Sequence, residues 1–353
     1  MTQMTNPPMF DGHNDVLLKL FSAGSNDARR GFIEGYGGHI DLPKARAGGF
    51  GGGFFAIYVP SPRNEGDIVE RMSGQAYDLP LPDAIGQPEA LAVVMAEAAI
   101  LSRLEADGAL KICTSAADIR ACLAEGTMAA VMHIEGAEAI DANFDVLDVL
   151  YRAGLRSIGP VWSRPTLFAH GVPFRFPSTG DTGPGLSDAG KDLVRECNRL
   201  RIMLDMSHLN EAGFWDVVAL SDAPIVATHS NAHAICPCAR NLSDRQLDAI
   251  RDSDGMVGLN FATAFLRPDG QMDADTGLDV MLRHLDHMIA RLGEDRVGFG
   301  SDFDGAMVPA EIGDAAGLPA LRRAMRAHGF DNALMAKLLH ENWLRVLDLT
   351  WGS

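Results

Sequence analysis

Short apolar runs recur along the chain, and an amphipathic stretch follows almost every one. The runs predict strands over 10–15, 53–59 ("GFFAIYV"), 129–135 ("AAVMHIE"), 156–162 ("RSIGPVW"), 202–208 ("IMLDMSH"), 224–229 ("PIVATH"), 256–261 ("MVGLNF") and 297–302 ("VGFGSD"). Helical periodicity lies between them, at 87–105, 143–154, 186–200, 211–220, 243–253 and 276–292. Ser187, Asn210 and Ser243 stand where N-caps belong, with a side-chain oxygen ready for the first free backbone N–H groups. Alternation of this kind implies a parallel sheet, because each return to the same edge needs a crossover helix. Eight repeats imply α/β architecture closed as a (β/α)8, TIM-like barrel. A helical tail at 331–349 is expected to pack outside the barrel. No linker, repeat or low-complexity stretch divides the chain, so a single domain over 1–353 is expected.

Two connections exceed ordinary loop length, 60–86 and 163–185. Long structured connections in a compact domain often cover a site. The glycine cluster 48–53, "GGFGGG", lacks the Lys and Ser/Thr of a phosphate loop, and tight packing into the second strand explains it better.

In such a barrel, reactive groups sit at the carboxyl ends of strands. Those ends carry His13 and Asp15, then Glu135, His208, His229 and Asp302. Alternation places each polar residue on the same face as deeper members of its run: Val131, His133 and Glu135 share one face, and so do Ile225, Ala227 and His229. Three histidines and two carboxylates exceed what one tetrahedral zinc with an open position needs. They suit two divalent ions about 3.5–4 Å apart, bridged by a carboxylate and a water-derived hydroxide. Zinc is the first expectation for imidazole with carboxylate; Mn, Co and Fe follow. His133 is expected one layer beneath, as a structural residue.

Composition narrows the partners. The formal net charge of −17 opposes nucleic acid and anionic membrane surfaces. No apolar run is long enough to span a membrane. The start "MTQMTNPPMF" lacks the basic and apolar regions of a secretory signal, which predicts a cytoplasmic protein. Cys113, Cys122, Cys197, Cys236 and Cys238 show no zinc-finger spacing and read as reduced thiols; "CPC" at 236–238 reads as two small, partly buried residues, with a soft-metal site the alternative.

The segments "FDGHND", "HIEGAEAI", "LDMSHLN", "ATHSNAHAICPCARNLSD" and "VGFGSDFDG" resemble, in order and separation, the signatures of the renal (membrane) dipeptidases, from about residue 9 to 346. The resemblance implies an amidohydrolase-like barrel that hydrolyses dipeptides, L-Xaa-L-Xaa or L-Xaa-D-Xaa. His13 and Asp15 would hold one metal, His208 and His229 the other, with Glu135 bridging. Arg240 would take the substrate's terminal carboxylate, and Asp302 would pass a proton from the attacking water to the leaving amine. Family habit implies a homodimer.

One position departs from the pattern. Where the family carries a histidine after the fourth strand, thought to bind the substrate carbonyl oxygen, this chain has Trp162. The indole retains one N–H donor but cannot become a cation. His170, nearby in the loop, is a second candidate for that role. The substitution keeps open a same-fold hydrolase acting on another amide or a lactone, such as an N-acyl amino acid. A non-catalytic scaffold is disfavoured, because no ligand has been lost.

Overall fold

A computed structural model describes residues 7–61 and 68–352. All eight expected runs form parallel strands: β1 (Met9–Asn14), β2 (Phe50–Tyr58), β3 (Ala129–Glu135), β4 (Leu155–Gly159), β5 (Met203–Leu204), β6 (Val226–Ala227), β7 (Met256–Asn260) and β8 (Val297–Gly300). Regular ladders join β1 to β5 in order and β6 to β8 in order. Single parallel bridges complete the ring, Asp205 with Val226 and Asn14 with Phe303. The barrel therefore closes.

Three strands are shorter than the apolar runs imply. β4 stops at Gly159 because Pro160 has no N–H to continue the ladder. β5 and β6 stop because Asp205 captures the next donors: its Oδ1 accepts from the Ser207 and Thr228 backbone N–H at 3.1 and 2.8 Å. Side-chain hydrogen bonds thus replace ladder bonds where the chain turns into the barrel mouth. The glycine cluster behaves as expected. A β-carbon on Gly52, which has φ 142°, would stand 2.0 Å from Ala129 O, so β2 meets β3 only without one.

The helices form where the periodicity and caps place them. The Ser187 hydroxyl accepts from Gly190 N–H and Asn210 from Gly213 N–H, and Ser243 with Gln246 forms a full capping box. The apolar side chains of these helices wrap the outer faces of the strands.

The tail packs differently from the expectation. Its segments, Asn332–Ala336, Lys337–Glu341 and Asn342–Trp351, do not simply lie outside the barrel. Trp343 is fully buried with Phe10, Phe54, Val131 and Met256, and its Nε1–H donates to Phe299 O at 3.1 Å. A column of rings rises from it: Trp343 to Phe54 (5.2 Å between centroids), Phe54 to His133 (6.2 Å), His133 to His13 (5.5 Å). The tail closes the floor because a wide aromatic fills that end and amphipathic periodicity alone does not reveal which way it faces.

At the opposite end the two long connections meet. Tyr77–Leu79 pairs antiparallel with Phe174–Phe176, and the pair roofs one side of the mouth. Residues 62–67 of the first connection lie outside the described residues.

Candidate metal centre

His13, Asp15, Glu135, His208 and His229, chosen from strand ends, converge in one buried cluster, with Asp302, half-buried, on the cavity wall beside them. Glu135 stands at its centre. Its Oε2 lies 3.7 Å from His13 Nε2, which is 3.4 Å from Asp15 Oδ2. Its Oε1 lies 2.9 Å from His208 Nε2 and 3.4 Å from His229 Nε2. One carboxylate thus serves two triads, His13–Asp15–Glu135 and Glu135–His208–His229. A third close grouping, His13–Asp205–His229, lies beside them.

A hydroxyl group behind His229 sets its tautomer. Thr228 Oγ1 lies 2.6 Å from Asp205 Oδ2, a carboxylate oxygen that accepts its single proton. The same hydroxyl, 2.8 Å from His229 Nδ1, must then accept from that nitrogen, which leaves Nε2 as a lone pair. Ser163 Oγ stands 2.9 Å from His208 Nδ1, within hydrogen-bond distance. His208 Nε2 and His229 Nε2 then face each other at 3.2 Å with Glu135 Oε1 between their directions. The His229 Nε2 lone pair and Glu135 Oε1 converge there at 3.4 Å. Neither ring nitrogen of His13 has a hydrogen-bond partner among the described residues, although the ring is fully buried. Orphaned nitrogens and converging lone pairs are what a bound cation resolves. The donor set fits divalent metal.

Charge tells the same story. Burial pushes the His208 and His229 imidazoles well down, so both are neutral and ready to ligate. Burial opposes charge on His13 too, but the Glu135 and Asp15 carboxylates override it and hold it up at about 10. Burial and the neighbouring carboxylates Asp15 and Asp302 raise Glu135 well above its usual range. Burial, then Asp15, raises Asp302 to about 6. Crowded carboxylates that resist ionising together mark a site that asks for positive charge.

Arg240 reaches the cluster from behind. Its Nη2 donates to His229 O at 3.1 Å and lies 3.2 Å from His208 Nε2, while Nη1 donates to Ser207 O. The guanidinium is buried, and no carboxylate lies within ion-pair distance among the described residues. Trp162 lines the open cavity above the cluster, with Tyr58, Met72, Phe174, Phe265 and Met307 among its walls. His170 does not line that cavity; its carbonyl accepts from Asn210 N–H at 3.2 Å. His133 lies beneath, with Nδ1 2.9 Å from Ser157 Oγ, as expected of a structural residue. All five cysteines are buried free thiols, Cys113, Cys197 and Cys236 fully so.

The sequence reading missed Ser163, Asp205, Ser207, Thr228 and Asn260. Each sits within four residues of a strand end, and that adjacency was the available signal.

A (β/α)8 barrel with histidine and carboxylate triads at the carboxyl ends of its strands has the architecture of an amidohydrolase-like metallohydrolase. The profile of the membrane dipeptidase family (peptidase family M19) matches residues 2–350. A metallo peptidase from Rhodobacter sphaeroides, solved with a phosphinate mimic of the dipeptide L-Ala-D-Ala, is 57% identical. It superposes with a TM-score of 0.96 over 98% of this chain and all of its own, 100%. The dipeptidase AC, an M19 metallo peptidase, gives 57% identity and a TM-score of 0.96 over 99% of this chain and 100% of that one. An uncharacterized protein in the pqqA 5' region of Klebsiella pneumoniae is 51% identical over 261 residues, 73% of this chain and 96% of its own. The chain belongs to the membrane dipeptidase family, and is a metal-dependent hydrolase of the dipeptidase kind. No helix among the described residues is long and apolar enough to cross a membrane.

Proposed function

We propose that the protein is a dinuclear dipeptidase, with zinc the foremost metal, that cleaves L-Xaa-L-Xaa or L-Xaa-D-Xaa dipeptides. The division of Glu135 between two triads carries this reading, because a single-metal site has no use for a second set of ligands. His13 and Asp15 would hold one ion, His208 and His229 the other, and Glu135 would offer one oxygen to each. Bound there, the ions would supply an activated water and Lewis-acid polarisation of the scissile carbonyl.

The chain's own residues do the rest. Asp302, beside Asp15 and open to the cavity, accepts the proton of the attacking water and returns it to the leaving amine. Arg240, a buried cation without a carboxylate partner, takes the substrate's terminal carboxylate, which relieves its isolation. Trp162 flanks the substrate and offers its Nε1–H, which has no partner among the described residues. Phe174, Phe265, Met72 and Met307 exclude water from the cavity walls. The L-Ala-D-Ala mimic bound by the Rhodobacter relative supports a D-residue on the carboxyl side.

The test is metal content by elemental analysis, together with hydrolysis of an L-Xaa-L-Xaa and L-Xaa-D-Xaa panel by zinc-loaded and EDTA-treated protein. Two ions per chain and EDTA-sensitive cleavage are expected. Two bound ions with no dipeptide cleaved would overturn the substrate assignment and turn attention to acylated amino acids. One ion per chain would overturn the dinuclear one.

A further inference from the structure

Asn260 ends β7, fully buried, and its side-chain amide has one orientation open to it. Oδ1 lies 2.6 Å from Ala262 N, and a backbone N–H can only donate, so that end of the amide must be the oxygen. Nδ2 is thereby turned to Asp302 and donates to its Oδ2 at 2.9 Å. Asn260 cannot swing away, because Asn231 grips its backbone on both sides: Asn260 N–H donates to Asn231 Oδ1 at 2.9 Å, and Asn231 Nδ2 donates to Asn260 O at 3.0 Å.

Asp302 is held as firmly. It adopts the left-handed region, φ 58°, which Asp enters more readily than most side chains. Its N–H donates to His13 O at 3.0 Å, and its carbonyl accepts from Ala306 N–H at 2.9 Å. Its Oδ1 faces the Asp15 carboxylate across Gly305, where a β-carbon would stand 2.7 Å from Asp302 Oδ1 and 2.1 Å from Asp15 Oδ2.

We propose that Asn260 is the positioning residue for Asp302: it holds Oδ2 as a permanent acceptor and confines the travelling proton to Oδ1. A proton on Oδ2 would set donor against donor at 2.9 Å. The inference rests on the proposed role of Asp302 as proton carrier. In the cleavage, the water oxygen bonds to the carbonyl carbon and gives one proton to Oδ1. The C–N bond then breaks, and Oδ1 passes that proton to the amine nitrogen.

An amine needs this proton more than an alcohol does, so the peptide L-Ala-D-Ala and its ester counterpart L-alanyl-D-lactate separate positioning from general damage. Asn260→Ala removes the donor to Asp302 without adding a charge. Asn260→Ser is the second variant should the first not fold. With zinc-loaded protein, kcat on the peptide is expected to fall on the order of tenfold to a hundredfold, part of what general acid–base catalysis contributes. KM should stay within about twofold, ester turnover within about threefold, and metal content and melting temperature near wild type. Peptide turnover at the wild-type rate, or equal losses on peptide and ester, would overturn the proposal. Asp302→Asn is run beside them. If it leaves peptide turnover near wild type, the assignment of Asp302 itself falls. If it lowers peptide turnover while Asn260→Ala does not, only the role of Asn260 falls.

Discussion

The indole of Trp162 leans over the imidazole of His208, with ring centroids 5.8 Å apart and planes at 38°. Tyr58 and Phe174 meet the same indole edge-on, at 5.2 and 5.6 Å, and fix it as part of the cavity wall. Trp162 is therefore built into the site and faces the cavity.

Trp162→Phe keeps that wall and removes only the N–H. If the indole donates to the oxygen on which charge develops, kcat on a dipeptide should fall on the order of tenfold, with KM within about twofold. Steady-state kinetics of the two proteins decide the matter. An unchanged kcat would reduce Trp162 to a packing surface.

Thr228 controls His229 without touching the cavity. Its hydroxyl passes its own proton to Asp205 and accepts from His229 Nδ1, so Thr228→Val leaves that N–H without an acceptor and frees the ring to turn. Loss of such an outer partner weakens metal binding about 10–100-fold. Chelator competition should show metal released at lower chelator concentration in Thr228→Val than in wild type. Release curves that coincide with wild type would show that packing alone holds the ring, which stacks on His13 with centroids 3.8 Å apart.

These cases mark what the sequence displays and what it hides. The ligands stand out because histidine and carboxylate at the ends of apolar runs are chemically unusual, and strand alternation puts them on one face. Ser163, Thr228 and Asn260 do not stand out, because hydroxyls and amides are common in any loop and their meaning depends on a partner far away in sequence. The strand pattern predicts the barrel and its order. It says nothing of the bridges at Asp205 and Asn14 that close it, nor that Trp343 faces inward. The length of β5 was hidden for the same reason: the Asp205 carboxylate outcompetes the ladder, and only the fold shows what it captures.

His284 couples stability to pH from outside the His13–Glu135–His229 cluster. Buried on helix Leu278–Leu292, its Nδ1 accepts from Ala232 N–H at 3.1 Å, and its Nε2 donates to Leu266 O at 2.9 Å. That ring is neutral in both contacts, and burial lowers its pKa from 6.5 to about 4. The unfolded chain binds this proton first as pH falls. The stabilisation is therefore whole above pH 6.5 and is lost progressively as pH drops to about 4, a change of about 3 kcal/mol. Urea unfolding at a series of pH values should show stability falling more steeply across that window in wild type than in His284→Gln. Parallel curves would show that His284 does not set the acid limb.

Trp343 tests whether the floor of the barrel supports the whole. Truncation to Ala removes a fully buried indole, opens a cavity under Phe54, and leaves Phe299 O without its 3.1 Å donor. Large-to-small changes of this kind cost about 3–5 kcal/mol, and the orphaned carbonyl adds to it. Trp343→Phe restores most of the volume but not the donor, so it should recover the larger part of the loss. Denaturant midpoints of the three proteins measure both contributions. A loss below about 1 kcal/mol in Trp343→Ala, small beside the usual cost of core truncation, would mean that the neighbouring tail residues Leu344 and Leu347 collapse into the gap and close the floor unaided.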